Sequence, residues 1–175
     1  FYPEYALSVW AARLLEKPVK WIEERTEAHL TDYHGRDNVT EVALALDNTG
    51  RFMGLRVNTT ANLGAYLSTL AAGPATIHLG GLAGVYMTPA AHVKVTGIFT
   101  HTCPTAPYRG AGRPEASFVI ETTVDAAARE LGIDPVKLRR LNMIPPEAIP
   151  YQTPLYFNYD SGRFDETFKM ALDVG

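Results

Sequence analysis

The residues best placed to do chemistry stand together between positions 104 and 113, in the run "PTAPYRGAGR". Pro104 and Pro107 stiffen the approach to this loop. Gly110 and Gly112 carry no side chain, so the amides around them are expected to be unshielded, and Pro114 opens a helix immediately afterwards. Successive backbone N–H groups at a helix start attract an anion or a polarised oxygen. Arg109 and Arg113 would add fixed positive charge there. The competing reading is a tight glycine turn whose arginines pair with neighbouring carboxylates, and the residues alone leave the two open.

Other candidates carry less. His29, His34, His78, His92 and His101 are scattered without metal-ligand spacing. "HTC" at 101–103 brings two soft ligands close together, whereas zinc takes three or four, so no protein-ligated metal is expected. No motif places a base beside Cys103, which reads as a buried loop thiol. "GGLAG" (80–84) lacks the preceding strand and following helix of a dinucleotide fingerprint and reads as close packing or loop mobility. Glu23, Glu24 and Glu27 lie on a polar stretch, a solvated face by default. With no Ser-His-Asp set and no acid/base pair, no residue is assigned as catalytic.

Period and punctuation predict the elements that must position the loop. Pro3 suits the first turn of a helix, and Leu7, Trp10, Ala11 and Leu14 recur at helical spacing, predicting one buried face. Lys17-Pro18 ends that helix, "VKWIEE" (19–24) reads as a short strand, and 23–34 as a helical turn and loop. A hairpin follows. Val42, Leu44 and Leu46 alternate with smaller or polar residues, "DNTG" (47–50) forms the turn with Gly50 at positive φ, and Met53, Leu55 and Val57 continue the alternation. From Leu63 to Met87 the pattern is poor; a helix starting at 67–70 would be interrupted by Gly73-Pro74. "HVKVTGIFTHTC" returns to strand character, with Val93, Val95 and Ile98 facing inward.

The helix begun by Pro114 has Ile120, Val124, Ala127, Ala128 and Leu131 as its apolar stripe, with Glu121, Asp125 and Arg129 on another face. Gly132 supplies its C-terminal residue, and Asp134-Pro135 caps and starts the next helix. Pro145, Pro146, Pro150 and Pro154 mark an extended connection before a last helix near Phe164 to Leu172. The expected fold class is α+β, an antiparallel or mixed sheet with flanking helices, forming one domain or domain fragment over 1–175.

The totals exclude several functions. The chain has 175 residues, 46% hydrophobic and 20% charged, enough to bury a core. Its net charge of -3, with no Lys/Arg run, gives no reason to expect nucleic acid. No apolar run approaches the roughly 20 residues needed to span a bilayer. A single cysteine cannot form an internal disulfide, which fits a reducing, cytoplasmic compartment. An aromatic residue at position 1 leading straight into a helix, and a final helix without a tail, read as a piece of a longer polypeptide.

"PYRGAGRPEASFVIE" resembles the molybdenum-site loop and following helix of the xanthine dehydrogenase/aldehyde oxidase family, above all the large, molybdopterin-binding chain of its aerobic carbon monoxide dehydrogenase-like branch. "YPEYALSVWAARLLEKPVKWIEERTEAHL", "HGRD", "LDNTGRFMGLRV", "ANLGAYLS" and "ELGIDPVKLRRLNMI" agree with it in the same order, so the resemblance spans essentially the whole chain. It implies a molybdenum hydroxylase subunit acting on a small-molecule substrate. The implied cofactor is molybdopterin with Mo, in its cytosine dinucleotide form. Electrons would pass through 2Fe-2S clusters to FAD, carried on an iron–sulfur subunit and an FAD subunit. Arg109 matches the family's loop arginine, so the resemblance places Arg109, Gly110, Ala111 and Gly112 against the cofactor, with Tyr108 and Ala111 facing substrate.

The departures matter as much. The family's carbon monoxide oxidisers resemble "AYRCSFR", whose cysteine binds copper; this chain has Gly110 there, and Cys103 lies seven residues earlier. Xanthine oxidisers carry a phenylalanine where Ala111 stands, and their substrate-side arginine falls in a region matched by "ATIHLGGLAG", which has none. An aldehyde, an N-heteroaromatic or another small molecule is the substrate left. The family's "GGGFG"-type loop and its general-base glutamate fall outside these residues, so the 175 residues alone are expected to retain no cofactor and not to turn over. The alternatives are a module that binds an anion or phosphorylated ligand without chemistry, and a subunit-interaction domain.

Overall fold

The computed structural model describes residues 3–76 and 79–174. His78, one of the five histidines weighed above, lies outside the described residues. The chain divides into two compact units, one ending at Asp32 and the other beginning at Tyr33.

The first unit holds α1 (Pro3–Leu15) and α2 (Arg25–Thr31). Pro3 begins α1 as expected, and the helix ends as Glu16 turns to φ 53. The expected buried face is not found: Leu7, Trp10 and Leu14 are between 50% and 65% exposed. Helical spacing shows which residues share a face, but burial also needs something packed on it. Residues 19–24 form no strand, and Trp21 and Ile22 are exposed. Aromatic and β-branched residues favour a strand where a neighbour accepts them, and among the described residues none pairs here. The helical turn expected downstream is the two-turn α2, where the Glu24 N–H donates to Glu27 Oε2 at 2.9 Å.

The second unit is built on the hairpin. β1 (Asn38–Leu46) and β2 (Phe52–Asn62) pair antiparallel, with Val42 opposite Val57 and Leu44 opposite Leu55. Gly50 takes φ 90, and Asp47 Oδ1 accepts from the Thr49 hydroxyl and the Thr49 and Arg51 amides. Met53 departs from the expected alternation: it is exposed while Phe52 is buried. The register shifts so that Ala45 faces Gly54 and Leu46 faces Phe52, leaving Met53 as an extra residue that inverts the parity.

β3 (Ala91–Ile98) pairs with β2 in parallel, giving a mixed sheet in the order β1-β2-β3. Val93 and Val95 turn inward as expected, whereas Ile98 is exposed at the strand end. A parallel neighbour requires a crossover. Here it includes α3 (Gly73–Thr76) and a 3-10 turn, Leu79–Ala83. Gly73-Pro74 starts α3 rather than interrupting a helix, because the first turn needs no proline N–H. The "GGLAG" segment is close packing: a Cβ on Gly81 would come within 3.2 Å of the Ala116 Cβ.

α4 (Arg113–Leu131) covers the sheet. Its buried residues Ala116, Ile120, Val124 and Ala128 join Phe52, Leu55, Val57 and Tyr86 in the core. Ala127 is partly buried, and Leu131, expected in the stripe, is exposed at the helix end. α5 (Pro135–Asn142) starts on its predicted cap, with Asp134 Oδ1 accepting from the Lys137 N–H at 2.8 Å. Its Arg139 binds Glu121 and Asp125 of α4. The proline-rich connection is less extended than expected. It holds a 3-10 turn (Pro146–Ala148) and the two-residue pair β4 (Tyr151–Gln152) and β5 (Asn158–Tyr159), before α6 (Phe164–Val174). The α+β class is the one observed.

Candidate functional site

The loop before α4 is held from beneath by two segments distant in sequence. The His34 N–H donates to the Pro104 carbonyl at 3.0 Å, and the Ala106 N–H returns to the His34 carbonyl at 2.9 Å. Asn62, the last residue of β2, gathers the rest. Its side-chain amide donates to Asp37 and Thr102, and its Oδ1 accepts from the Gly64 N–H and the Thr100 hydroxyl, all within 2.8 Å. The buried Ser68 hydroxyl donates to the Thr105 carbonyl at 2.8 Å. The approach to the loop is thus fixed by main-chain bonds to His34 and by the Asn62 and Ser68 side chains, and not by its prolines alone.

Beyond Pro107 the chain makes two turns in succession. The Ala111 N–H donates to the Tyr108 carbonyl at 2.6 Å, and the Arg113 N–H to the Gly110 carbonyl at 3.0 Å. Gly110, Ala111 and Gly112 all have positive φ, at 89, 43 and 97. The first turn needs positive φ at its third residue and the second at both central residues, which is why two glycines stand here. Ala111 adopts that conformation with a Cβ, at a cost of about 1–2 kcal/mol.

This geometry corrects the expected run of free amides. The Ala111 and Arg113 N–H groups already close the turns. Among the described residues the Gly110 and Gly112 amides donate to no protein group, and of these two residues Gly110 is exposed and Gly112 buried. The donor set is therefore the Gly110 amide on the crest, with Gly112 behind it. Tyr108, Arg109 and Arg113 are exposed and Ala111 is half-buried. The tight glycine turns of the plain-turn reading are present, whereas among the described residues neither arginine makes the carboxylate pair that this reading expected.

Two residues at the loop escaped the sequence reading. Arg36 donates from Nη2 to the Arg109 carbonyl at 2.6 Å, pairs through Nε with Glu115 Oε1 at 3.1 Å, and lies 4.8 Å from the Tyr108 ring centroid. Glu115, in the first turn of α4, has its other oxygen buried with no partner among the described residues. The one available signal was the "HGRD" segment, which places a glycine next to Arg36. A Cβ on that Gly35 would come within 3.1 Å of the Tyr108 Cβ, so the segment must pass close under the loop.

Among the described residues the loop offers an exposed glycine with an undonated amide, two arginines without a carboxylate partner and an aromatic ring, on a pinned backbone. That set suits an anionic or polarised group docking from outside. The cavity behind it, between β1, β2 and the first turn of α4, is about 30 Å³ and has room for little more than a water molecule. No cluster of three metal-ligating side chains occurs among the described residues. The "HTC" histidine is exposed, and Cys103 is half-buried beneath the loop.

The model of the molybdopterin cofactor-binding domain family matches residues 1–143. The chain belongs to that family. The carbon monoxide dehydrogenase large chain of Hydrogenophaga pseudoflava is 37% identical over 99% of this chain and 22% of its own length. The 6-hydroxypseudooxynicotine dehydrogenase complex subunit gamma of Paenarthrobacter nicotinovorans is 33% identical, with the same coverage of each chain. Among solved structures, quinoline 2-oxidoreductase from Pseudomonas putida 86 superposes with a TM-score of 0.87 at 31% identity, covering 99% of this chain and 22% of that one. The chain thus spans about a fifth of the length of these relatives. No helix among the described residues is long and apolar enough to cross a membrane.

Proposed function

We propose that these residues form one wall of the molybdopterin site in the large subunit of a molybdenum hydroxylase. The carrying observation is the exposed Gly110, whose amide donates to no protein group among the described residues, on a loop whose arginines have no carboxylate partner among them. Arg109, Gly110, Ala111 and Gly112 face the cofactor, while Tyr108 and Ala111 border the substrate. When bound, the cofactor supplies a molybdenum centre that takes two electrons as a water-derived oxygen passes to substrate. The chain's own contribution is a pre-set donor and fixed charge, which need no rearrangement at the moment of reaction.

The substrate is an aldehyde, an N-heteroaromatic or another small molecule. Gly110 provides no thiolate for copper, which argues against carbon monoxide, and Ala111 provides no ring to stack on a purine. Relatives named for 6-hydroxypseudooxynicotine and quinoline support the heteroaromatic side. The cytosine dinucleotide form of the cofactor, iron–sulfur and FAD partner subunits and a cytoplasmic location complete the reading. The 175 residues act as one piece of the cofactor domain, and the general base comes from elsewhere in the polypeptide. A Gly110→Glu change in the full-length subunit places a side chain against Pro114 and a negative charge at the donor. It is expected to lower molybdenum content and dye-coupled oxidation of benzaldehyde and quinoline at least about tenfold. Molybdenum content and turnover at parental levels in that variant would overturn the assignment.

A further inference from the structure

The Arg109 carbonyl and the Gly110 amide belong to one peptide unit. In a planar trans peptide the two point in opposite directions, so whatever fixes the carbonyl also aims the N–H. Arg36 supplies that anchor, at 2.6 Å from the Arg109 oxygen. We infer that Arg36 is the positioning residue of the cofactor loop: it locks peptide 109–110 so that the Gly110 N–H faces outward. This rests on the cofactor-side reading of Gly110 given above.

Three features of the structure converge on it. First, peptide 109–110 is the central peptide of the turn closed by Ala111 N–H and the Tyr108 carbonyl, and Gly110 at φ 89 is its third residue. The central peptide of a turn has no bond of its own within the turn, so it can rotate unless something outside holds it. Among the described residues Arg36 is the group that does. Second, a hydrogen bond received by a peptide carbonyl polarises the same peptide's N–H and makes it a better donor. A charged donor does so more strongly. Third, Arg36 is itself held at two other points. Its Nε pairs with Glu115 Oε1 at 3.1 Å, and its Cζ lies over the ring of Tyr108, the residue that opens the turn, 4.8 Å from the centroid. Only a planar fork of donors can meet a carbonyl, a carboxylate and a ring face together; an ammonium reaches one or two of them.

The test uses the full-length subunit in its complex, with Arg36→Met, Arg36→Lys and Glu115→Gln variants. Peptide-resolved hydrogen exchange is read over 106–114 and, as an internal control, over 52–60. The electron paramagnetic resonance spectrum of the dithionite-reduced molybdenum centre is read on the same samples. In Arg36→Met, exchange over 106–114 is expected to quicken by about tenfold, the scale of one lost charged hydrogen bond. Exchange over 52–60 stays within about twofold, and the spectrum shifts. Arg36→Lys falls between parent and Arg36→Met, and Glu115→Gln shows the smallest change because the Arg109 and Tyr108 contacts survive. Unchanged exchange over 106–114 in Arg36→Met overturns the inference. So does an equal rise over 52–60, which would make Arg36 a brace of the fold and not of the loop. A parent protein without molybdenum overturns the cofactor reading instead, while the exchange data still decide whether Arg36 holds the loop.

Discussion

Gly64 and Gly132 both take positive φ, 77 and 65, in very different surroundings. A Cβ on Gly64 would lie 2.3 Å from the Pro104 Cα and 2.5 Å from the Cys103 carbonyl oxygen, both backbone, whereas one on Gly132 meets nothing within 4 Å. Gly64→Ala must therefore push the loop approach away as well as strain its own φ. It is expected to cost about 2–4 kcal/mol, against about 1 kcal/mol for Gly132→Ala, where only the conformational penalty applies. Denaturant titration of the two variants measures the difference, and equal losses would contradict the close-approach reading. Nothing local in "ANLGAYLS" announces that contact, because Pro104 arrives from 40 residues further along. The same holds for Arg36, 73 residues from its carbonyl partner. The glycine turn at 110–112 was legible because it is written in consecutive letters.

Elements were legible where period and caps agree, and less so where a partner decides. The bulge at Ala45/Leu46 illustrates the limit: alternation predicts a face for Met53, but the register with β1 moves it to the other. α1 illustrates it again, with an apolar stripe that the described residues leave exposed. The joint between hairpin and α5 was not visible at all. Asn142, 2% exposed, donates to the Gly50 carbonyl at 2.9 Å and to the Leu138 carbonyl at 3.0 Å. It also accepts from the Phe52 N–H at 2.8 Å, so one side chain closes the last turn of α5 onto both ends of the hairpin turn. Asn142→Ala strands a buried amide and a buried carbonyl. It is expected to cost about 2–4 kcal/mol in denaturant unfolding. Asn142→Asp should be worse than a conservative swap suggests, since the new carboxylate faces the Gly50 carbonyl. A loss under about 0.5 kcal/mol in either variant would mean the joint is held elsewhere.

At the scale of the whole molecule, the charge states of a few tied residues set how stability depends on pH. Tyr86 is buried in the core, its ring edge-on to Phe52 at 5.4 Å, and its hydroxyl donates to Glu121 at 2.8 Å. Burial pushes its pKa well above the ordinary tyrosine value, and the bond to Glu121 and that carboxylate's charge add to the effect, while Arg139 opposes it. Burial raises Tyr159 and Tyr151 as well. A tyrosine whose pKa is higher folded than unfolded holds its proton more tightly in the native state. Its contribution is complete below about pH 10, the unfolded value, and is lost as pH climbs towards the folded one. Asp47 and Asp165 act in reverse. The Thr49 hydroxyl first, then the Arg51 and Thr49 amides, hold Asp47 below the usual carboxylate range, and the Arg140 bond does the same for Asp165. What they contribute is present above that range and fades as pH falls through it. The unfolding midpoint is therefore expected to be flat between about pH 5 and pH 9.5 and to drop steeply above about pH 10. Tyr86→Phe separates the cause of the alkaline limb. It removes one hydrogen bond, costing about 1 kcal/mol at neutral pH, but leaves no hydroxyl to ionise inside the core. Its midpoint should start lower and fall less steeply than the parent's, with Tyr159, Tyr151 and Tyr66, each raised foremost by desolvation, accounting for the slope that remains. If the two curves ran parallel above pH 10, the alkaline loss would have to originate outside the core formed by α4, β2 and Tyr86.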